Sequence, residues 1–252
     1  MKYIIKTIVF ILFSTVLLKS TTTLAQASYV EMLAGLSKPP FVIANKENGM
    51  QIDIIKAAFA KSSKAVQFTY LPLSRHLEVF NSQKFDGIIT LIENGKHWGI
   101  CLSKPYIIYQ NVVITLANTS YEINVINDLS NLRVAAFQNA TKFLGKEYSR
   151  VFNNAQSYRE IADQKSQIDL LFSGEVDALV MDIHIFKHLL ANKHRENEKV
   201  KTYNQKFETH FLFKPKAYTA GFKSKELCQL FDQGVNELVI DGSYQKIIDS
   251  YL

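Results

Sequence analysis

The chain has 252 residues, 47% hydrophobic and 21% charged, a composition that suits a folded globular protein and excludes a disordered or collagen-like one. Its formal net charge is +6, yet no basic run interleaves with aromatics, so nucleic acid is not an expected partner. The length accommodates two small lobes or one large domain.

The chain opens MKYIIKTIVFILFSTVLLKSTTTLAQA. Lys2 and Lys6 precede an apolar core, Ile8 to Leu18, interrupted only by Ser14 and Thr15, and Ala25-Gln26-Ala27 is a small-x-small cleavage site. Residues 1–27 therefore read as a secretory signal peptide cut after Ala27. An uncleaved anchor would need roughly 20 apolar residues, more than this run supplies. Lys2, Lys6 and Lys19 fall in the leader, so the exported part carries +3. With no Cys near the cut to take a lipid, the expectation is a soluble periplasmic protein.

After the leader, PPFVIA (39–44) reads as a strand behind a Pro-Pro start. MQIDIIKAAFAKSS sets Ile52, Ile55, Ala58 and Phe59 on one stripe, which suits an amphipathic helix. VQFTYLP alternates as a strand, and SRHLEVFNSQK is a helix with Ser74 as N-cap. FDGIITLI is a strand whose Gly87 lets another backbone come close. Beyond the loop ENGKHWG, CLSKPYIIYQNVVITLA holds a Pro-marked turn and a long β-rich run.

In INDLSNLRVAAFQNATKFLG, Asp128 opens a short turn, RVAAF is a buried strand, and Asn139 or Thr141 caps the next helix. IADQKSQIDLLFSGE is helical, VDALVM a strand and IHIFKHLLANKH a helix. FLFKPKAYTAGF returns to β character, and the remainder forms two helices broken at Asp241-Gly242. Strands alternating with helices imply parallel sheets of the α/β class. β-rich runs near Asn111 and Ala217 suggest two crossings between lobes, which is a hinge. Cys101 and Cys228 leave two readings open, a disulfide or two buried thiols, since spacing alone cannot place their Cα atoms.

In order along the chain stand PPF (39–41), GMQIDIIKAAF, FDGII (85–89), LSKPY (102–106), NDLSNLRVAAFQNAT (127–141), GEVDALVMD (174–182) and DGSYQKIIDSYL. Through these the chain resembles the bacterial extracellular solute-binding proteins of family 3, the periplasmic receptors of amino-acid ABC importers. The resemblance implies a type II periplasmic-binding-protein fold, two α/β lobes joined by a two-strand hinge. Lobe 1 would comprise residues 28–111 and 218–252, and lobe 2 residues 112–217. It implies a monomer that takes a small-molecule ligand and works with an inner-membrane ABC permease or sensor, without a cofactor and without catalysis. The same fold also hosts cyclohexadienyl-dehydratase-like enzymes. For that alternative, Glu93 beside Lys96 is the one obvious cleft acid.

Asp182 matches the family Asp that meets a ligand ammonium. A strand-exit Asp ahead of IHIFKHLL also suits a helix N-cap, and it can serve both. Asp177, at the start of the same strand, reads as structural. FQNATK places Phe137, Thr141 and the 140–142 backbone where a helix N-terminus would suit an anion. Members that bind amino acids usually carry an Arg before the S-x-P-Y element, and here Lys96 stands there, a point charge without the planar fork. Arg75 is the alternative carboxylate clamp. Phe41 and Trp98 supply apolar walls, and Thr90 completes the candidate ligand set. His184 and His188 stand at metal-binding spacing but lack a third ligand, so no metal is expected.

Overall fold

The computed structural model describes residues 29–72, 75–82, 85–92, 99–119, 121–153, 155–196 and 201–252. The expected leader, the Ser74 cap, Glu93, Lys96 and Trp98 lie outside the described residues. In chain order the elements are β1 (Tyr29–Ala34), α1 (Met50–Ala60), β2 (Ala65–Tyr70), α2 (His76–Ser82), β3 (Gly87–Leu91), β4 (Cys101–Leu102), β5 (Ile107–Tyr109) and β6 (Asn111–Leu116). Then follow β7 (Val134–Phe137), α3 (Ala140–Phe143), α4 (Lys146–Phe152), β8 (Tyr158–Ile161), α5 (Gln164–Phe172), β9 (Ala178–Asp182) and α6 (Ile183–Glu196). β10 (Phe207–His210), β11 (Lys216–Phe222), α7 (Lys225–Ile240) and α8 (Ser243–Asp249) close the chain.

Two sheets define two lobes. The first runs β2-β1-β3-β11-β4, with β5 also on β11; β1, β2 and β3 are parallel and β11 is antiparallel. The second runs β10-β6-β9-β7-β8, with β7, β8 and β9 parallel. The chain passes from one sheet to the other between β5 and β6 and returns between β10 and β11, the two-crossing hinge of a type II periplasmic-binding-protein fold. Gln110 ties the crossings together: its side-chain Nε2 donates to the Phe213 carbonyl at 2.8 Å. Across the back of the lobes, His188 on α6 bonds through Nδ1 to the Tyr251 carbonyl at 2.8 Å. Among the described residues no helix is long and apolar enough to cross a membrane.

Three local expectations are corrected. PPFVIA is not a strand; it is a turn held by isolated bridges, Lys38 to Val42 and Ile43 to Asn48. Pro39 and Pro40 have no N–H to give a ladder, and the central strand is instead YVEMLA of β1. The turn caps α1, whose first N–H groups reach the Pro40 and Phe41 carbonyls at 2.9 and 3.0 Å. Gly49 makes this approach feasible: its φ is +123°, and a Cβ there would strike the Phe41 backbone. The helix expected from Ile161 starts three residues later: Ile161 is the last residue of β8, and α5 begins at Gln164, where Asp163 caps it through the Lys165 N–H at 3.0 Å. Gly87 accommodates the side chains of Met32 and Phe222, not another backbone.

The cysteines resolve in favour of pairing: Cys101 on β4 and Cys228 on α7 form a disulfide, with Cα atoms 6.2 Å apart. It fastens α7 to the first sheet. In the second lobe, β9 contributes five consecutive buried residues, and its two faces feed separate apolar clusters, Leu179 and Met181 to one, Ala178 and Val180 to the other. A strand buried on both faces reads as a continuous apolar run, as the sequence shows.

Candidate functional site

A cleft of about 410 Å³ opens where the crossings meet, lined from both lobes by Lys38, Tyr109, Asn111, Phe137, Asp182 and Lys216, among others. Its volume falls in the range of small-ligand sites. Larger concavities exist, such as one of about 600 Å³ beside His188 and Tyr251. Only the former lies at the carboxyl ends of β7 and β9, where open α/β sheets place their ligands.

The floor on the first-lobe side is built by a buried hub. Gln51 on α1 is 1% exposed; its Nε2 donates to the Tyr106 hydroxyl at 2.9 Å and its Oε1 accepts from the Tyr109 hydroxyl at 3.1 Å. Thr90 joins through its Oγ1, 3.2 Å from Gln51 Nε2. Thr90 has φ +65°, a left-handed conformation unusual for a β-branched residue, and the β3–β11 register shifts there, so β3 carries a bulge. Phe41 stacks on Tyr109 with centroids 3.8 Å apart and is fully buried, so it supports the wall instead of lining it.

Asp182 ends β9 with 3% exposure. Its Oδ1 accepts the His184 and Ile185 N–H groups at 2.9 and 3.2 Å, which caps α6, and its Oδ2 accepts the Gln110 N–H at 2.7 Å. Three of a carboxylate's roughly four acceptor positions are thus taken, and the open one is on Oδ2. Burial pushes the Asp182 pKa above the ordinary carboxylate value, against the opposing pull of His184 and the three backbone donors. Burial likewise lowers the pKa of His184, whose Nδ1 is 3.8 Å from Asp182 and whose ring stands edge-on to Phe41.

The strand–helix junction after β7 differs from expectation. Glu160 on β8 accepts the Asn139 and Thr141 N–H groups at 2.6 and 2.9 Å, the Thr141 hydroxyl at 2.7 Å and the Tyr158 hydroxyl at 3.0 Å. A resident carboxylate therefore occupies the donors that the sequence offered to a ligand anion, and neither Asn139 nor Thr141 caps α3 by its side chain. Burial raises the Glu160 pKa, but these donors outweigh it and hold the group below its ordinary value.

Of the expected ligand set, the structure brings Asp182 and Phe137 to the cleft. Phe41 and Thr90 stand behind its floor, Thr141 is engaged by Glu160, and Arg75 is exposed ahead of α2, away from the cleft lining. His188 is engaged with Tyr251, and among the described residues no cluster of three metal-ligating side chains occurs. Sequence reasoning missed Lys38, Tyr109, Lys216 and Tyr218. Their signal was positional: Lys38 abuts PPF, and the others flank the two predicted crossings, which must border any interlobe cleft.

Two sheets, two crossing strands and a cleft at the hinge define the type II periplasmic-binding-protein class of fold. The chain belongs to the bacterial extracellular solute-binding proteins, family 3, whose model matches residues 32–252. It is 25% identical over 189 residues to a probable histidine-binding protein of Campylobacter jejuni subsp. jejuni serotype O:2, covering 69% of each chain. Among solved structures, it is similar to the second substrate-binding domain of a putative amino acid ABC transporter from Streptococcus pneumoniae, with 22% identity, TM-score 0.66, and coverage of 89% of this chain and 100% of that one. An ancestral cationic amino acid solute-binding protein gives TM-score 0.68 at 17% identity, covering 88% of this chain and 95% of that one. At these identities the structures speak for the fold alone.

Proposed function

We propose that this protein is a periplasmic receptor that captures a small polar solute, an amino-acid-like zwitterion or carboxylate, by closing two lobes on it for an inner-membrane ABC importer. The closing units are residues 28–111 with 218–252, and residues 112–217. The observation that carries the reading is the cleft itself, which draws its lining from both lobes and sits on the crossings. Asp182 pins the first crossing through Gln110 and turns its open Oδ2 position to a ligand ammonium, so binding and hinge geometry share one side chain. Closure then shifts an open–closed equilibrium by the ligand's preference for the closed state, with no bond made or broken.

Family membership and a relative described as histidine-binding support this reading. The decisive measurement is a thermal-shift screen of the exported form, residues 28–252, against amino acids, polyamines and small carboxylates. A ligand that binds only the folded state raises Tm by mass action. We expect a saturable shift with the ligand recovered unchanged; conversion of the ligand would instead establish an enzyme, and a screen without any shift would sink the receptor.

A further inference from the structure

Among the described residues, the charges facing this cleft do not balance. Lys38 and Lys216 both line it, and the acid that lines it with them, Asp182, already accepts three backbone N–H groups. Among the described residues, neither lysine ammonium has a carboxylate within 4.0 Å or a hydrogen-bond partner. Each is instead positioned by an aromatic face. Lys38 Nζ sits 4.5 Å from the Tyr109 ring centroid and Lys216 Nζ 5.5 Å from that of Tyr218, and the two rings are 4.8 Å apart. The result is a pair of ammonium groups on a double tyrosine platform, backed by Phe41 and fixed by Gln51.

Among the described residues, two cations against one buried anion, itself left with a single open acceptor position, leave one positive charge in a partly desolvated space. Although much of the Lys38 side chain is reachable by solvent, loss of hydration around its ammonium lowers its pKa; Asp182 pulls it up and Lys216 pushes it further down. A neutral zwitterion entering the cleft would leave this excess uncompensated, and a cationic amino acid would add to it. An anion placed between the two lysines would relieve their repulsion and gain charge-assisted hydrogen bonds from both.

Resting on the receptor reading and narrowing it, we infer that the solute carries net negative charge, with a carboxylate seated between Lys38 and Lys216 over the Tyr109–Tyr218 pair. An acidic amino acid fits this arrangement: its ammonium faces Asp182 Oδ2 and a carboxylate spans the lysines.

The test is calorimetric titration of the exported form with L-glutamate, L-glutamine, L-arginine and succinate at low salt. Glutamate and glutamine share the α-ammonium and α-carboxylate and differ in side-chain charge. We expect glutamate to bind about tenfold to a hundredfold more tightly than glutamine, and arginine to bind weakest. Succinate binding as tightly as glutamate would show that the anion alone suffices, which also supports the inference. In Lys38→Met and Lys216→Met, both exposed positions, the glutamate preference over glutamine should collapse while the melting temperature of the free protein stays near wild type. Glutamine or arginine binding as tightly as both anions overturns the inference and leaves the receptor standing. No heat with any of the four, combined with an empty thermal-shift screen, overturns both.

Discussion

The two ends of β9 carry the same residue type and put it to opposite use. Asp177, the residue just before β9, is half-buried and gripped by Arg133, which gives its backbone N–H at 2.8 Å, Nε at 3.0 Å and Nη2 at 2.6 Å. Asp182, at its end, meets among the described residues no cation within 4.0 Å except the His184 ring, whose own pKa is lowered, and relies on backbone N–H groups. Arg133 hydrogen bonds hold the Asp177 pKa below the ordinary value, whereas burial holds that of Asp182 above it. A carboxylate's character here follows from its hydration and its donors, not from the strand that bears it. Asp177 closes a lobe edge. Asp182 joins strand, helix and hinge.

The largest effect that would break this contrast comes from Asp182→Ala. Removing the carboxylate uncaps α6 and takes the acceptor from the partly buried Gln110 N–H, at a combined cost of about 3 kcal/mol. For a chain of this size that lowers Tm by roughly 6–12 °C, measured by circular dichroism in the absence of ligand. A melting temperature equal to that of the wild type would show that water replaces the pin and that Asp182 serves ligand binding alone.

Glu160→Gln probes the middle of the contrast, a carboxylate that is partly buried yet still held below its ordinary pKa. Glutamine keeps one acceptor oxygen, so its amide NH2 must face either the Asn139 N–H or the Thr141 donors. Loss of a charge-assisted bond costs about 2 kcal/mol, a fall of roughly 4–8 °C in Tm. Should Glu160→Gln instead gain affinity for the anionic ligand with no loss of Tm, the junction would be a ligand subsite that Glu160 merely blocks.

These carboxylates also mark where the sequence could be read and where it could not. The α/β alternation, the two crossings and the capping role of Asp182 were legible because periodicity, turn residues and helix capping are local. PPFVIA misled because its apolar, β-branched tail outweighs two prolines only until ladder hydrogen bonds are counted. YREI of β8 is too short and polar to stand out by periodicity, yet it delivers Glu160 to Asn139 and Thr141, partners 21 and 19 residues away. Likewise nothing local links Lys38 to Lys216, since the platform under them forms only when β5 pairs with β11. Contacts across sheets, rather than residue types, were the missing information.

The smallest effect is also the one that sets the two ends of β9 directly against each other. Arg133 is half exposed, with its side chain at 53% against 16% for Asp177, so screening limits the pair and Asp177→Asn should cost about 1 kcal/mol at neutral pH. Because the folded pKa of Asp177 is depressed, its contribution is complete above the unfolded value near 3.9 and disappears as pH falls through the folded one. The stability difference between wild type and Asp177→Asn, from urea titrations at successive pH values, should therefore shrink below about pH 4. For Asp182 the sign reverses. Its folded pKa is raised, so protonation on descending through that pKa favours the folded state, and the difference between wild type and Asp182→Asn should move in the wild type's favour as pH falls. Two difference curves that ran the same way would mean that hydration does not separate these aspartates, and the contrast at the two ends of β9 would fail.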